Sequence, residues 1–158
     1  MTGEHAYVEG DVFAVPLDDR AGYGVGLVAR ADGCGVVLGY FFGPARPEVA
    51  ALSELGELAV DAAVAVHWFG DLSLVRGEWP LIGRLPHWRR AAWPVPAFGT
   101  YNVLLEQAFR LEYPHETFGD VREVPVTRAE ADALPWGALF GAGLVEGTLT
   151  ELLRTEGA

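Results

Sequence analysis

The chain has no lysine: its eleven bases are all arginine, set against 22 aspartates and glutamates, for a formal net charge of −11. A field of that sign repels phosphate backbones and excludes nucleic acid as a direct partner, whereas it suits a basic protein. Cysteine is nearly absent too. Cys34 stands alone between two glycines, so no internal disulfide can form, which fits a reducing compartment. Long apolar runs are missing. The most apolar stretch, Leu58–Phe69, is broken by Asp61 and falls far short of the ~20 residues a membrane helix needs. Met1–Gly10 carries Glu4 and Glu9 and no apolar core, unlike a signal peptide. These absences predict a cytoplasmic protein that does not enter a membrane. The four histidines, His5, His67, His87 and His115, are not spaced as metal ligands with one another or with Cys34, so neither a metal nor another cofactor is expected.

What is present is apolar and rich in glycine. The chain of 158 residues is 51% hydrophobic, a size and composition that predict one folded domain over residues 1–158. In Asp11–Leu17, Val12, Ala14 and Pro16 alternate with Phe13, Val15 and Leu17, so both faces of this strand are apolar and both should be covered. Asp18, Asp19 and Arg20 make a turn. The returning strand, Gly22–Arg30, carries Gly22, Gly24 and Gly26 along one face, which marks a bulge or a close approach by another part of the chain. A phosphate-binding loop would need a helix to follow and a lysine; here a strand follows. A third strand, Val36–Phe42, comes after the Asp32-Gly33 turn signal.

Downstream the elements are short. Gly43–Pro47 reads as a loop with Pro47 opening a helical turn, and Ala50, Leu52, Leu55 and Leu58 form an imperfect helical stripe. Ala62–Phe69 reads as a buried strand, with further strands at Leu72–Leu74 and Trp79–Ile82 around a turn at Arg76-Gly77-Glu78. Pro86–Pro96, with Trp88 and Trp93, is expected to be a long ordered loop packed by its own aromatics. Phe109, Leu111 and Tyr113 alternate with Arg110 and Glu112, giving a strand that pairs with Val121–Val126 in a late hairpin. Thr127–Glu130 has the pattern of a capping box, opening a helix that Pro135 stops. A last helix is predicted from Gly143 to Arg154, with Leu144 or Val145, Leu149, Leu152 and Leu153 inward. The fold class is α+β, mostly β: a small bent antiparallel sheet or an SH3-like partial barrel with short helices, including a C-terminal one.

The residues of this chain suggest a binding surface more than a catalytic centre. Residues 101–158 carry ten acids against four arginines, a local net −6, with Glu112, Glu116, Asp120 and Glu123 around the late hairpin. Trp88 and Trp93, beside Arg89 and Arg90, read either as exposed anchors of the type enriched at interfaces or as indoles that staple their loop to the domain. Asp18, Asp19 and Tyr23 at the opening turn are the alternative contact site. His67 beside Trp68 reads as a hydrogen-bonded core or rim histidine, Trp68 and Trp79 as core residues in strands, and no catalytic residue is nominated.

Three blocks carry a family resemblance: Gly10–Leu17 with Gly22–Gly26; Gly77-Glu78-Trp79-Pro80-Leu81-Ile82-Gly83-Arg84, with Pro94, Pro96 and Phe98 downstream; and Gly141–Glu146 running into Leu149, Leu152 and Leu153. In that order they resemble the immunity protein 26 family of bacterial polymorphic toxin systems. The resemblance implies a mostly β cytoplasmic protein that binds and neutralises one cognate toxin, basic if it is a nuclease, without a reaction of its own. Two rivals remain open at the level of sequence. One is a small hydrolase using buried carboxylates; the other is an SH3-like adaptor with a peptide groove lined by Trp88 and Trp93.

Overall fold

The computed structural model describes residues 6–156; His5 lies outside them. Among the described residues nine strands form two sheets. The larger is built from β1 (Asp11–Pro16), β2 (Tyr23–Ala31), β3 (Val36–Arg46), β4 (Ala65–Gly70), β5 (Leu81–Arg84) and β9 (Leu139–Phe140), in the order β5-β1-β2-β3-β4-β9. All its pairings are antiparallel except β9, which joins β4 in parallel through Trp68 and Phe69. The smaller is the antiparallel meander β6 (Phe98–Asn102), β7 (Gln107–Glu112) and β8 (Arg122–Val126). Helices α1 (Leu72–Val75), α2 (Arg128–Asp132) and α3 (Ala142–Glu156) complete the α+β fold. The large sheet ends at β5 and β9 and closes into no barrel.

The doubly apolar pattern of the first strand is explained by a layer on each face of the large sheet. Phe13, Val15, Val28, Val37, Phe41 and Phe69 point to one side, where Val145, Leu149 and Leu153 of α3 cover them. Val12, Val25, Leu27, Leu38, Tyr40 and Trp68 point to the other, where Trp93, Phe98, Leu111 and Tyr113 of the aromatic loop and small sheet cover them. The glycines of β2 set how closely the first layer approaches. Gly26 stands opposite Phe13 in the β1–β2 register, and a Cβ there would lie 2.3 Å from Phe13 Cζ. At Gly24 a Cβ would lie 2.6 Å from Leu149 Cδ2. The ring could not sit where it does over any larger residue, and at Gly24 the bare backbone lets the Leu149 side chain of α3 pack against β2. Phe13 then stacks on Trp79 at 5.6 Å and meets Phe41 edge-on at 6.0 Å.

Several local expectations change. Gly43–Pro47 is not wholly a loop, because β3 runs on to Arg46; two extra residues slip the register between Tyr23↔Arg46 and Val25↔Phe42. Pro44 falls in that slip, where the ladder does not need an N–H. The stripe Ala50–Leu58 forms no α-helix and Pro47 opens none; 3-10 turns stand at Leu52–Glu54 and Val60–Ala62. Gly56, at φ +68°, interrupts any helix between Leu55 and Leu58. Leu72–Leu74 is the helix α1, not a strand: Val75 and Arg76 donate back to Asp71 and Leu72, and the helical turn sends Leu74 inward and Leu72 to solvent. Trp79 is fully buried but precedes β5 instead of lying in it. Strands β6 and β9 were not expected. The Thr127–Glu130 capping box and the C-terminal helix are present, with Val145 facing inward and Leu144 outward.

Phe13→Ala should destabilise the protein by about 3–5 kcal/mol, since it removes a fully buried ring from a packed aromatic cluster. Denaturant unfolding measures this, and a loss below about 1 kcal/mol would place Phe13 outside the core.

Candidate partner-binding surface

The aromatic loop between β5 and β6 is held by its indoles. Trp93 is only 4% exposed and meets Tyr40 and Phe42 edge-on, with centroids at 5.1 and 5.9 Å. The Tyr40 hydroxyl donates to the Pro94 carbonyl. Trp93 is therefore a core residue and not an exposed anchor, a correction that follows from the apolar face of β3 needing cover. Trp88 is half-buried, its indole lying over Gly10, where a Cβ would come within 2.9 Å of Cγ. Beside the loop lies a concavity of about 490 Å³ lined by Leu58, Leu85, His87, Arg89 and Trp93, among others.

A charged network ties this loop to the turn after β7. In β2 the register slips between Val28 and Arg30, leaving Ala29 as an extra residue and aiming Arg30 at the loop. Arg30 is 3% exposed. Its Nη2 pairs with Glu116 at 2.8 Å, and its Nη1 donates to the Ala29 carbonyl at 2.6 Å. The second oxygen of Glu116 pairs with Arg90 at 2.7 Å, and Arg90 Nε reaches Glu9 at 2.8 Å. Glu116 adopts φ +60° to make these contacts. The Arg30 hydrogen bond, with Arg90 behind it, holds the Glu116 carboxyl below the usual carboxylate range.

The four nominated carboxylates thus do different things. Glu116 is committed to Arg30 and Arg90. Glu112 is committed to Arg110 at 2.9 Å and Arg122 at 2.6 Å, and these pull its carboxyl down as well. Asp120 faces His115 at 2.5 Å, both largely exposed. Glu123 is exposed on β8. The aromatic loop and the late hairpin come together through Arg90–Glu116, whereas Asp18, Asp19 and Tyr23 belong elsewhere. The Asp18 N–H donates to Thr150 of α3 at 2.9 Å, and Asp19 pairs with Arg154 at 3.2 Å. Tyr23 is half-buried opposite Arg46. Sequence gave no sign of the Arg30–Glu116 pair, whose partners are 86 residues apart. It also passed over Val103-Leu104-Leu105, an apolar run at the β6–β7 turn that is exposed.

His67 is buried and stacks on Phe140 at 4.0 Å. Its Nδ1 has no hydrogen-bond partner, so the expected hydrogen-bonded histidine is instead an aromatic packing residue. Burial pushes its pKa down to about 4. Cys34 is exposed in a turn closed by Asp32, whose Oδ1 accepts from the Cys34 and Val36 N–H groups. Among the described residues no group of three or more His, Cys, Asp or Glu is placed to hold a metal, and no helix is long and apolar enough to cross a membrane.

Two measurements follow from these charges. Because the His67 pKa falls from 6.5 to about 4 on folding, the unfolded chain takes the proton first as pH drops. Stability should decline between about pH 6.5 and 4, by up to roughly 3 kcal/mol, and His67→Phe should flatten that window of the stability profile. Glu116→Gln should cost about 1–3 kcal/mol at neutral pH, because it leaves the buried Arg30 guanidinium without its anion. The loss of that pair in the wild type should appear only at more acid pH, as Glu116 protonates. Chemical denaturation across pH reads both.

Comparison with known proteins returns one family model, Immunity protein 26, matching residues 8–109. That span contains β1–β6, the whole aromatic loop and the first half of β7, and it includes the first two sequence blocks; the third, Gly141–Glu146, lies beyond it. No curated protein and no solved structure gave a significant match. With most of its length matched, and with the opening hairpin and the Trp79 block forming one aromatic core, the chain belongs to the immunity protein 26 family.

Proposed function

We propose that this immunity protein neutralises one cognate toxin of a polymorphic toxin system by stoichiometric binding in the cytoplasm, as a single domain and with no reaction of its own. The family match over residues 8–109 carries the reading. The net charge of −11 supports a basic partner, since opposed fields accelerate encounter and fix orientation. A nuclease would present such a cleft to its polyanionic substrate, and an acidic protein competes for it on the same electrostatic terms.

On this reading the toxin meets the side where the aromatic loop and late hairpin adjoin. Trp88 supplies a half-buried aromatic edge, and Asp120 and Glu123 supply exposed charge. Glu112 and Glu116 act differently: their charge is matched by arginine, so they hold the surface in shape. The hydrolase rival draws little support from the His115–Asp120 pair. With side chains 72% and 55% exposed, neither group has the dry surroundings that shift a catalytic pKa.

Co-expression with candidate toxin domains taken from the neighbouring genes tests the proposal. Growth should be restored, and the two proteins should co-purify at one to one. A toxin that remains lethal and unbound would overturn it. Asp120→Asn with Glu123→Gln should slow association severalfold and weaken its salt dependence while leaving dissociation nearly unchanged. Stopped-flow mixing at two ionic strengths measures this, and a change confined to dissociation would contradict the steering role.

A further inference from the structure

We infer that the tip of the β6–β7 hairpin is a plug by which the protein enters the cleft of its toxin, an inference that rests on the toxin-binding reading above. The tip is Val103-Leu104-Leu105, with exposures of 75%, 95% and 66%. Turns recruit Gly, Asn, Asp or Ser for conformational reasons. Three consecutive exposed aliphatic side chains serve no such need and carry a solubility cost unless they meet something outside the fold. None of the three belongs to either hydrophobic core.

The tip is also firmly presented. The Leu105 N–H donates to Asn102 Oδ1 at 3.0 Å, and the Glu106 N–H donates to the Val103 carbonyl at 3.3 Å. Beneath it the ladder is complete from Asn102↔Gln107 to Phe98↔Leu111. Gln107 Nε2 donates across to the Val126 carbonyl of β8 at 3.0 Å. The Arg128 guanidinium of α2 sits 3.9 Å from the Tyr101 ring. A braced apolar turn loses little conformational entropy when it docks, which favours insertion.

Shape and charge select the occupant. A convex tip of three side chains cannot offer another convex surface the ~800 Å² per partner of a standard interface, and a second copy carries the same net charge of −11, which repels it. A cleft buries the flanks of the hairpin as well. Glu106 adjoins the tip, and Arg128 of α2, which lies over Tyr101, is itself paired with Asp132 at 3.4 Å, on a chain of net charge −11. Anionic lipid repels that charge, whereas a cleft with an apolar floor and a basic rim attracts it. The tip lies inside the family-matched span, residues 8–109. The partner it fits is therefore the toxin's substrate cleft.

The test uses the full chain and the toxin domain that the co-expression experiment identifies. V103S/L104S/L105S should keep the wild-type circular dichroism and melting temperature but bind the toxin domain at least tenfold more weakly. Wild-type binding with an unchanged variant Kd overturns the plug while leaving the immunity reading intact. Failure of the wild-type protein to bind overturns both. Should the triple variant not fold, a benzophenone photocrosslinker introduced by Leu104→p-benzoylphenylalanine decides the matter. Crosslinks to residues of the toxin's cleft are expected. Crosslinks to a second copy alone, flotation of the wild type with phosphatidylserine–phosphatidylcholine vesicles that the triple variant loses, or no crosslink at all would overturn the proposal.

Discussion

The ring of Phe13 lies over Gly26, and the rest of the molecule is arranged around that contact. A side chain on Gly26 would fill the space the ring occupies, so β2 must offer bare backbone on this face. With Phe13 seated, Phe41, Phe69 and Trp79 close around it, and Gly24 admits α3 beside them. One face of the sheet is thereby sealed by a helix. The opposite face, lined by Val12, Leu27, Tyr40 and Trp68, still needs cover, and the aromatic loop and small sheet supply it. The position of the proposed binding side thus follows from the need to bury the second face of an antiparallel sheet.

Electrostatics then shapes that side without simply making it acidic. Arg30 is a buried cation aimed by a bulge in β2, and Glu116 answers it from the turn after β7. Such a pair adds little net stability over an apolar replacement, but losing one partner is costly, so it acts as a registration device between layers. Through Arg90 the same carboxylate fixes the aromatic loop. The acidity left for a partner is therefore distributed over the exposed carboxylates and the molecule's overall field, while the apolar contact is concentrated at the β6–β7 tip.

Much of the fold was legible in the sequence where local pattern decides. The doubly apolar β1, the glycine face of β2, the capping box at Thr127 and the inward stripe of α3 each follow from spacing and residue type alone. Elements whose form depends on distant partners were not legible. β9 is two residues long and is a strand only because β4 lies beside it. The Leu72–Val75 turn is too short to show a helical period, and the helical spacing of Leu52, Leu55 and Leu58 is broken by Gly56. Of the nominated site, the adjacency of the aromatic loop to Glu116 required the Arg30 contact, and the burial of Trp93 required knowing that β3 lies beneath it. The apolar tip was visible as letters, but its exposure is a property of the meander.

Hydrogen–deuterium exchange of this protein, alone and with the toxin domain it neutralises, tests the account most directly. The account predicts slowed exchange at the β6–β7 turn, residues 102–107, and along the loop and turn at residues 86–93 and 114–123, with α3 and the opening turn at residues 18–23 unchanged. Protection confined to α3 and that opening turn would place the toxin on the other face of the sheet and contradict it.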